Sequence, residues 1–350
     1  MAVGVPIAIP HSRPWITESD YAAVELVMRG DMIAQGERVV AFENAVGRMS
    51  QTSGGVAVAC GAAALVLGLR ALGIARESEV ILPTYVCRSV LEAVLTAGAV
   101  PVLCDVGPEW VVTPDVVEKH VTSRTAAIIV VHIFGLPVDV ASIQRLGRPV
   151  IEDACQAFGL AIGDATAGSL GSIGIFSFHA TKCLTTGEGG MLVSSDSRLL
   201  KRARALRDGP EDFSGRVAAP LSDLQAALGM AQLHRYGTFL QRRDELRERY
   251  RAGVAGSFGF AESSLASNAP FRLPIRSTLP FEQTRLRALA AGVHVRRPVD
   301  ALLHRELGMP DRGFENAVKA YEDTLSVPFY PALSDVECDR VIDLLRMLQA

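Results

Sequence analysis

Between about residues 56 and 195 the chain alternates short apolar runs with stretches of helical period. VAVAC (56–60), EVILP (79–83), AVPVLCD (99–105), AAIIVVHIFG (126–135), RPVIEDAC (148–155), GIFSF (174–178) and GGMLVSS (189–195) read as strands. GAAALVLGLRALG and RSVLEAVLTAG read as helices that stop at Gly73 and Gly98, since glycine readily takes the left-handed conformation that ends a helix. Strands that are apolar along their length suit a parallel sheet, whose crossover helices bury both faces. The pattern therefore predicts an α/β protein with a mostly parallel central sheet and helices on both sides.

Past residue 220 the pattern changes. LSDLQAALGMAQLHRYGTFLQRRDELRERYRAG (221–253) predicts one long helix. Ser222 and Gln225 have capping-box spacing, and the charged second half suits a solvated connecting helix. A weaker strand (APFRLPI), a helix near 281–291, the segment VHVRRP and helices near 314–324 and 334–348 complete the chain. This predicts a large domain over 1–235 and a small C-terminal α+β domain over 236–350.

The 350 residues are 49% hydrophobic, ample for a sizeable core, and the net charge of -3 comes with no basic block. No nucleic-acid or membrane partner is expected. The apolar runs are shorter than the roughly 18 residues of a membrane span. The start MAVGVPIAIPHSRPW has no basic, then long apolar, signal pattern. The six cysteines form no CxxC pair; they read as buried thiols of a reducing cytoplasm, with no metal site. Only four of the 35 basic residues are lysines: Lys119, Lys182, Lys201 and Lys319.

Three segments carry candidate chemistry. VIEDACQAFG places Asp153 at the end of a buried strand, as a helix cap or as a carboxylate paired with a pyridinium nitrogen. GIFSFHATKCLTTGEGG holds Lys182 in a tight turn between two strands, as an exposed loop lysine or as a nucleophilic amine. AVACGAAAL opens a helix at Gly61, where free N–H groups and the helix dipole suit a phosphate.

In this order and spacing, the three resemble the DegT/StrS-like sugar aminotransferases, a branch of the fold-type-I pyridoxal-phosphate enzymes. VHIFGLPVD, VIEDACQAFG, GSLGSIGIFSFHATK, GEGGMLV and the ending TLSVPFYPALSDVECDRVIDLL match that family's motifs. The resemblance implies the cofactor pyridoxal 5'-phosphate, held by Lys182 as a Schiff base with Asp153 at the pyridine nitrogen. It also implies Gln156 near the phenolic oxygen, Ser177 at the phosphate, and Gly61 and Ala62 as the phosphate turn.

Four departures narrow the inheritance. The turn Cys60-Gly61-Ala62-Ala63-Ala64 lacks the usual hydroxyl at Ala62. Where the family has an aromatic stacked on the ring, either Cys87 or Tyr85 takes that place, or Tyr85 is core packing. The Tyr-Asn-x-Arg segment that reaches a neighbouring subunit's phosphate is replaced around Ala218 and Pro220. His179 stands in place of a common Tyr and reads as structural.

The resemblance implies transfer of an amino group from glutamate or glutamine to a keto-sugar or cyclitol, by a homodimer with sites at the subunit interface. Alternatives are the same cofactor acting on a non-sugar ketone or amino acid, an elimination, or a non-catalytic relative. Arg296, Arg297 and His304 are candidates for facing the substrate from the small domain, or for solvated surface.

Overall fold

The computed structural model describes residues 8–209, 217, 219–254, 259–260, 267–277 and 279–349. Its centre is a seven-stranded sheet of β1 (Gly54–Val58), β2 (Glu79–Pro83), β3 (Val100–Cys104), β4 (Thr125–Val131), β5 (Val150–Asp153), β8 (Ile173–Ser177) and β9 (Gly190–Ser194). The order is β1-β9-β8-β5-β4-β2-β3. The run β8-β5-β4-β2-β3 is parallel, while β9 is antiparallel to both of its neighbours. The chain is thus an α/β protein with a mostly parallel sheet, and the apolar runs at 79–83 and 126–131 are its interior.

Alternate residues of these strands feed opposite sides. Val80, Leu82, Ile129 and Ile151 join one apolar cluster. Ile81, Ile128, Val130 and Val150 join another. A strand's period of two, buried on both faces, explains why these segments show no polar alternation. Between β5 and β8 lies a small hairpin of β6 (Ala161–Ile162) and β7 (Ala165–Thr166). Later in the chain β10 (Gly259–Phe260), β11 (Pro274–Arg276) and β12 (Thr324–Ser326) form an antiparallel sheet with its own apolar cluster.

Three expectations change. The apolar run 126–135 is strand only to Val131. His132–Gly135 turns out of the sheet, with Phe134 and Gly135 at φ +60 and +84. Amides of the turn find partners in backbone and side chain: Gln156 Oε1 accepts Phe134 N–H at 2.8 Å and His132 O accepts Gly135 N–H at 3.2 Å, while just beyond it His132 Nδ1 accepts Val138 N–H at 3.2 Å. The single helix at 221–253 is two helices, Asp223–His234 and Tyr236–Gly253, joined at Arg235. There Arg235 reaches the buried Asp20 at 2.5 Å, and the Tyr236 hydroxyl donates to Phe158 O at 2.6 Å. The strand in APFRLPI shrinks to Pro274–Arg276. In addition, Val299, Leu302, Leu303, Phe314 and Ala317 pack into the main sheet's core cluster.

Candidate active site

The carboxyl ends of parallel strands are where α/β sheets place ligands, and here they open on a cavity of about 370 Å³. Asp153 ends β5, in mid-sheet between β4 and β8. Its side chain is buried, and Cys155 N–H donates to Oδ1 at 3.0 Å. Its carbonyl accepts His132 N–H at 3.0 Å, so backbone and side chain are both tied.

Behind Asp153 lies a fully buried pair, His132 and Glu152, 2.9 Å apart. Glu152 also accepts N–H bonds from Gly168, Leu170 and Gly171 at 2.9, 2.7 and 2.5 Å. Burial pushes its carboxyl up, but the bonds from His132, Gly168 and Gly171 outweigh burial and hold it below the usual value. Because Nδ1 of His132 accepts an amide proton, Nε2 is the ring's donor to Glu152.

Ser177 ends β8, and the helix Gly61–Ala71 starts opposite it. A Cβ on Gly61 would lie 3.0 Å from Ser177 Cβ and 3.1 Å from Cys155 Sγ, tighter than ordinary packing, so glycine eases the close approach of the turn to the strand ends. Cys60 caps the helix, its sulfur accepting Ala63 N–H at 3.4 Å. Among the described residues the N–H groups of Gly61 and Ala62 have no partner, which leaves two donors and a helix N-terminus for an anion.

Lys182 lies in the turn between β8 and β9. Phe178 N–H donates to Gly189 O at 2.8 Å and Thr186 N–H to Phe178 O at 2.9 Å, which close the loop; Lys182 N–H donates to His179 O at 2.8 Å. Its Nζ stands 4.8 Å from the Phe271 ring centroid. His179 also lines the cavity, with Nδ1 2.8 Å from Thr181 Oγ1 and Nε2 3.5 Å from Glu188.

The cavity thus brings together Gly61, Ala62, Cys87, Asp153, Gln156, Ser177 and Lys182. Tyr85 is not among its lining residues. It is fully buried, its ring edge-on to Phe134 and its hydroxyl 3.3 Å from Thr324. Of the two candidates for the ring cover, Cys87 borders the cavity and Tyr85 packs in the core. Burial pushes the Tyr85 hydroxyl well above its ordinary value. Ala218 lies outside the described residues, and Pro220 bridges to Val58 beside the site.

The far wall is made by Arg272, Arg296, Pro298, Val299 and Asp300. Of the three candidates there, only Arg296 lines the cavity. Arg297 stacks on Phe281 and Tyr321, 4.4 and 4.2 Å from their centroids. His304 is fully buried between Thr84 Oγ1 at 2.8 Å and Asp311 at 3.0 Å. Arg272, Phe271 and Cys155 were missed. Arg272 left one signal, a guanidinium inside the otherwise apolar APFRLPI.

A family model, the DegT/DnrJ/EryC1/StrS aminotransferase family, matches residues 14–346. The chain belongs to this family of aminotransferases. It is similar in structure to the aminotransferase TlmJ from Streptoalloteichus hindustanus, at 29% identity and TM-score 0.89, over 97% of this chain and 98% of that one. DesI, solved in the presence of its TDP-sugar product, matches at 26% identity and TM-score 0.90, over 100% and 94%. A Streptococcus pneumoniae protein described as a sugar aminotransferase, in its PMP form, matches at 24% and TM-score 0.92, over 98% of each chain; at that identity the likeness is one of fold.

Amino transfer of this kind runs on pyridoxal 5'-phosphate, and the donor set fits it. Two free amides and a hydroxyl face one end of the cavity, a buried carboxylate ends the central strand, and an amine faces the same space.

Proposed function

We propose that the chain transfers an amino group from glutamate or glutamine to a keto-sugar or cyclitol. The observation that carries this is the convergence of Lys182, Asp153 and the Gly61 turn on one cavity. Membership in the family and the likeness to DesI support the sugar as acceptor.

In this reading the N–H groups of Gly61 and Ala62 and the Ser177 hydroxyl bind the cofactor phosphate. The Asp153 carboxylate, its Oδ1 already held by Cys155 N–H, keeps the pyridine nitrogen protonated. Cys87 covers one side of the ring and Gln156 faces its phenolic oxygen. When bound, the group supplies an electron sink for the donor's α-carbon. Lys182 Nζ holds the cofactor and, once displaced, takes the proton from that carbon and returns it. The turn between β8 and β9 keeps Nζ in place for both tasks. The division of labour follows the chain, with cofactor binding in residues 1–235 and a smaller unit in 236–350.

The protein acts in the cytoplasm as a homodimer. The helices Glu18–Met28 and Glu37–Met49 and the turn between them expose Tyr21, Leu26, Met28, Met32, Ile33 and Val40, an apolar surface of the sort that a second copy covers.

The test is incubation of the purified holoenzyme with L-glutamate or L-glutamine and a panel of nucleotide-linked keto-sugars and keto-cyclitols. Mass spectrometry is expected to find an amino product together with the 2-oxoacid. A cofactor-loaded enzyme that aminates none of them overturns the reading. The missing hydroxyl at Ala62 favours a second reading, a specialised enzyme acting on a non-sugar ketone or amino acid or carrying out an elimination. An aminated non-sugar ketone would establish the first of these, and a product without the donor's nitrogen the elimination.

A further inference from the structure

The far wall carries two guanidiniums, Arg272 and Arg296, that form no ion pair among the described residues. Arg272 is half-buried on that wall, with one donor, Nη1, given to Pro298 O at 2.5 Å. Its guanidinium lies 5.4 Å from the Phe271 centroid. Arg296 lines the same cavity. Among the described residues no carboxylate comes within ion-pair distance of either guanidinium, though Asp300 is on the same wall. A guanidinium has five N–H donors, and a desolvated one without an acid partner is costly unless a ligand supplies the anion.

Two further observations bear on this charge. Burial, and then the charge of Arg296, bring Arg272 below its usual value against the opposing pull of Asp300. His11, bonded through Nε2 to Ser326 Oγ at 2.9 Å, is pushed down to about 3, first by burial and then by Arg272 and Arg296. The positive field is thus strong enough to act on a third group.

The wall is also rigid. Phe271 N–H donates to Phe134 O at 3.0 Å, and Phe271 O accepts from the buried Arg243 at 2.8 Å. A guanidinium beside a clamped backbone segment is pre-organised, which lowers the ordering cost of binding.

We propose that Arg272 and Arg296 form the carboxylate-binding subsite for the amino donor. The inference rests on the reading of Lys182 as the reactive amine. The two sources of an anion in such a reaction are the donor's carboxylate and the acceptor's phosphates. Phe271 decides between them, because its ring neighbours both Lys182 Nζ, at 4.8 Å, and Arg272. An amino acid carries its carboxylates close to the amine that must replace Nζ. A nucleotide-linked sugar carries its phosphates a whole sugar ring away from the keto carbon. The forked donors of arginine match a carboxylate, and a second cation steers the same anion.

The probe is glutarate, a dicarboxylate without an amine, titrated calorimetrically into the protein as purified. Arg272→Met is expected to weaken glutarate binding about tenfold or more, the scale of a lost charge-assisted pair. Arg296→Met, at an exposed position, is expected to weaken it by about threefold. In the half-reaction, the L-glutamate concentration that half-saturates loss of the cofactor's visible band rises in parallel, while that for propylamine, which has no carboxylate, stays within about twofold. Glutarate binding unchanged in both variants overturns the proposal, as does equal weakening of L-glutamate and propylamine. Weakening by a keto-sugar nucleotide's phosphates alone, with glutarate unaffected, overturns it in favour of the acceptor. Because glutarate needs no chemistry, the subsite is tested even if amino transfer is not found, so the two readings fail separately.

Discussion

One wall of the cavity is made of strand ends and the other of the segments around Phe271 and Arg296. On the first, the carboxylates have hydrogen-bond partners. Asp153 is tied through Cys155 and His132, and behind it Glu152 accepts four hydrogen bonds. On the second, two guanidiniums border the cavity with no ion pair among the described residues. In the proposed reading the first wall holds a permanent guest in one geometry, and the bonded carboxylates supply rigidity. In the same reading the second takes and releases changing substrates, and its charge is what a substrate anion would meet. A comparison of this kind can be broken from either side.

The largest effect is expected on the first wall, from Lys182→Ala. The variant should keep the fold, lose the visible absorption of the bound cofactor and lose transfer altogether. Spectra and product assay check it, and a variant that stays yellow and active would remove Lys182 from the mechanism.

Next comes the support beneath Asp153. Glu152→Gln places an amide N–H₂ among groups that are themselves donors, His132 Nε2 and three backbone N–H. A loss of about 2–4 kcal/mol in stability is expected from urea unfolding at neutral pH. The native pKa of Glu152 lies below its unfolded value, so its contribution is complete above the ordinary carboxylate range. It is lost as pH falls through the lower native value. The gap between wild type and variant should therefore narrow toward acid pH. A gap that widens there would mean that Glu152 is not held as a carboxylate.

The same contrast governs what the sequence could reveal. Asp153, Ser177, Gly61 and Lys182 lie at strand ends and in one tight turn, so their order along the chain reports their meeting in space. The buried strands announced themselves as unbroken apolar runs. The antiparallel setting of β9 left no such mark, because a strand buried on both sides reads the same in either direction. The turn at His132–Gly135 was hidden for a similar reason. Its amides are satisfied by His132 and Gln156, the latter more than twenty residues distant, so an apolar segment could leave the sheet. Tyr85 and Cys87 were indistinguishable until the helix Arg88–Thr96 fixed which faces the cavity. Arg272 could not be assigned because its chemistry depends on what is absent around it, and an unpaired charge is a property of three dimensions.

The effect expected to be smallest at neutral pH belongs to the second wall and bears on its field. His11 titrates near 3 in the folded chain, against about 6.5 for an unperturbed histidine. Between those values the unfolded chain binds a proton that the folded chain does not, so stability falls as pH falls through this window. His11→Gln removes that uptake, and the plot of stability against pH should become shallower by up to one proton between about pH 6.5 and 3. Above that window the two proteins should differ little. Arg272→Met acts on the same histidine from the other side. By removing a neighbouring positive charge it should raise the folded pKa and shorten the window from its acid end. If both variants keep the wild-type slope, His11 does not report a positive field, and the electrostatic half of the contrast between the two walls falls.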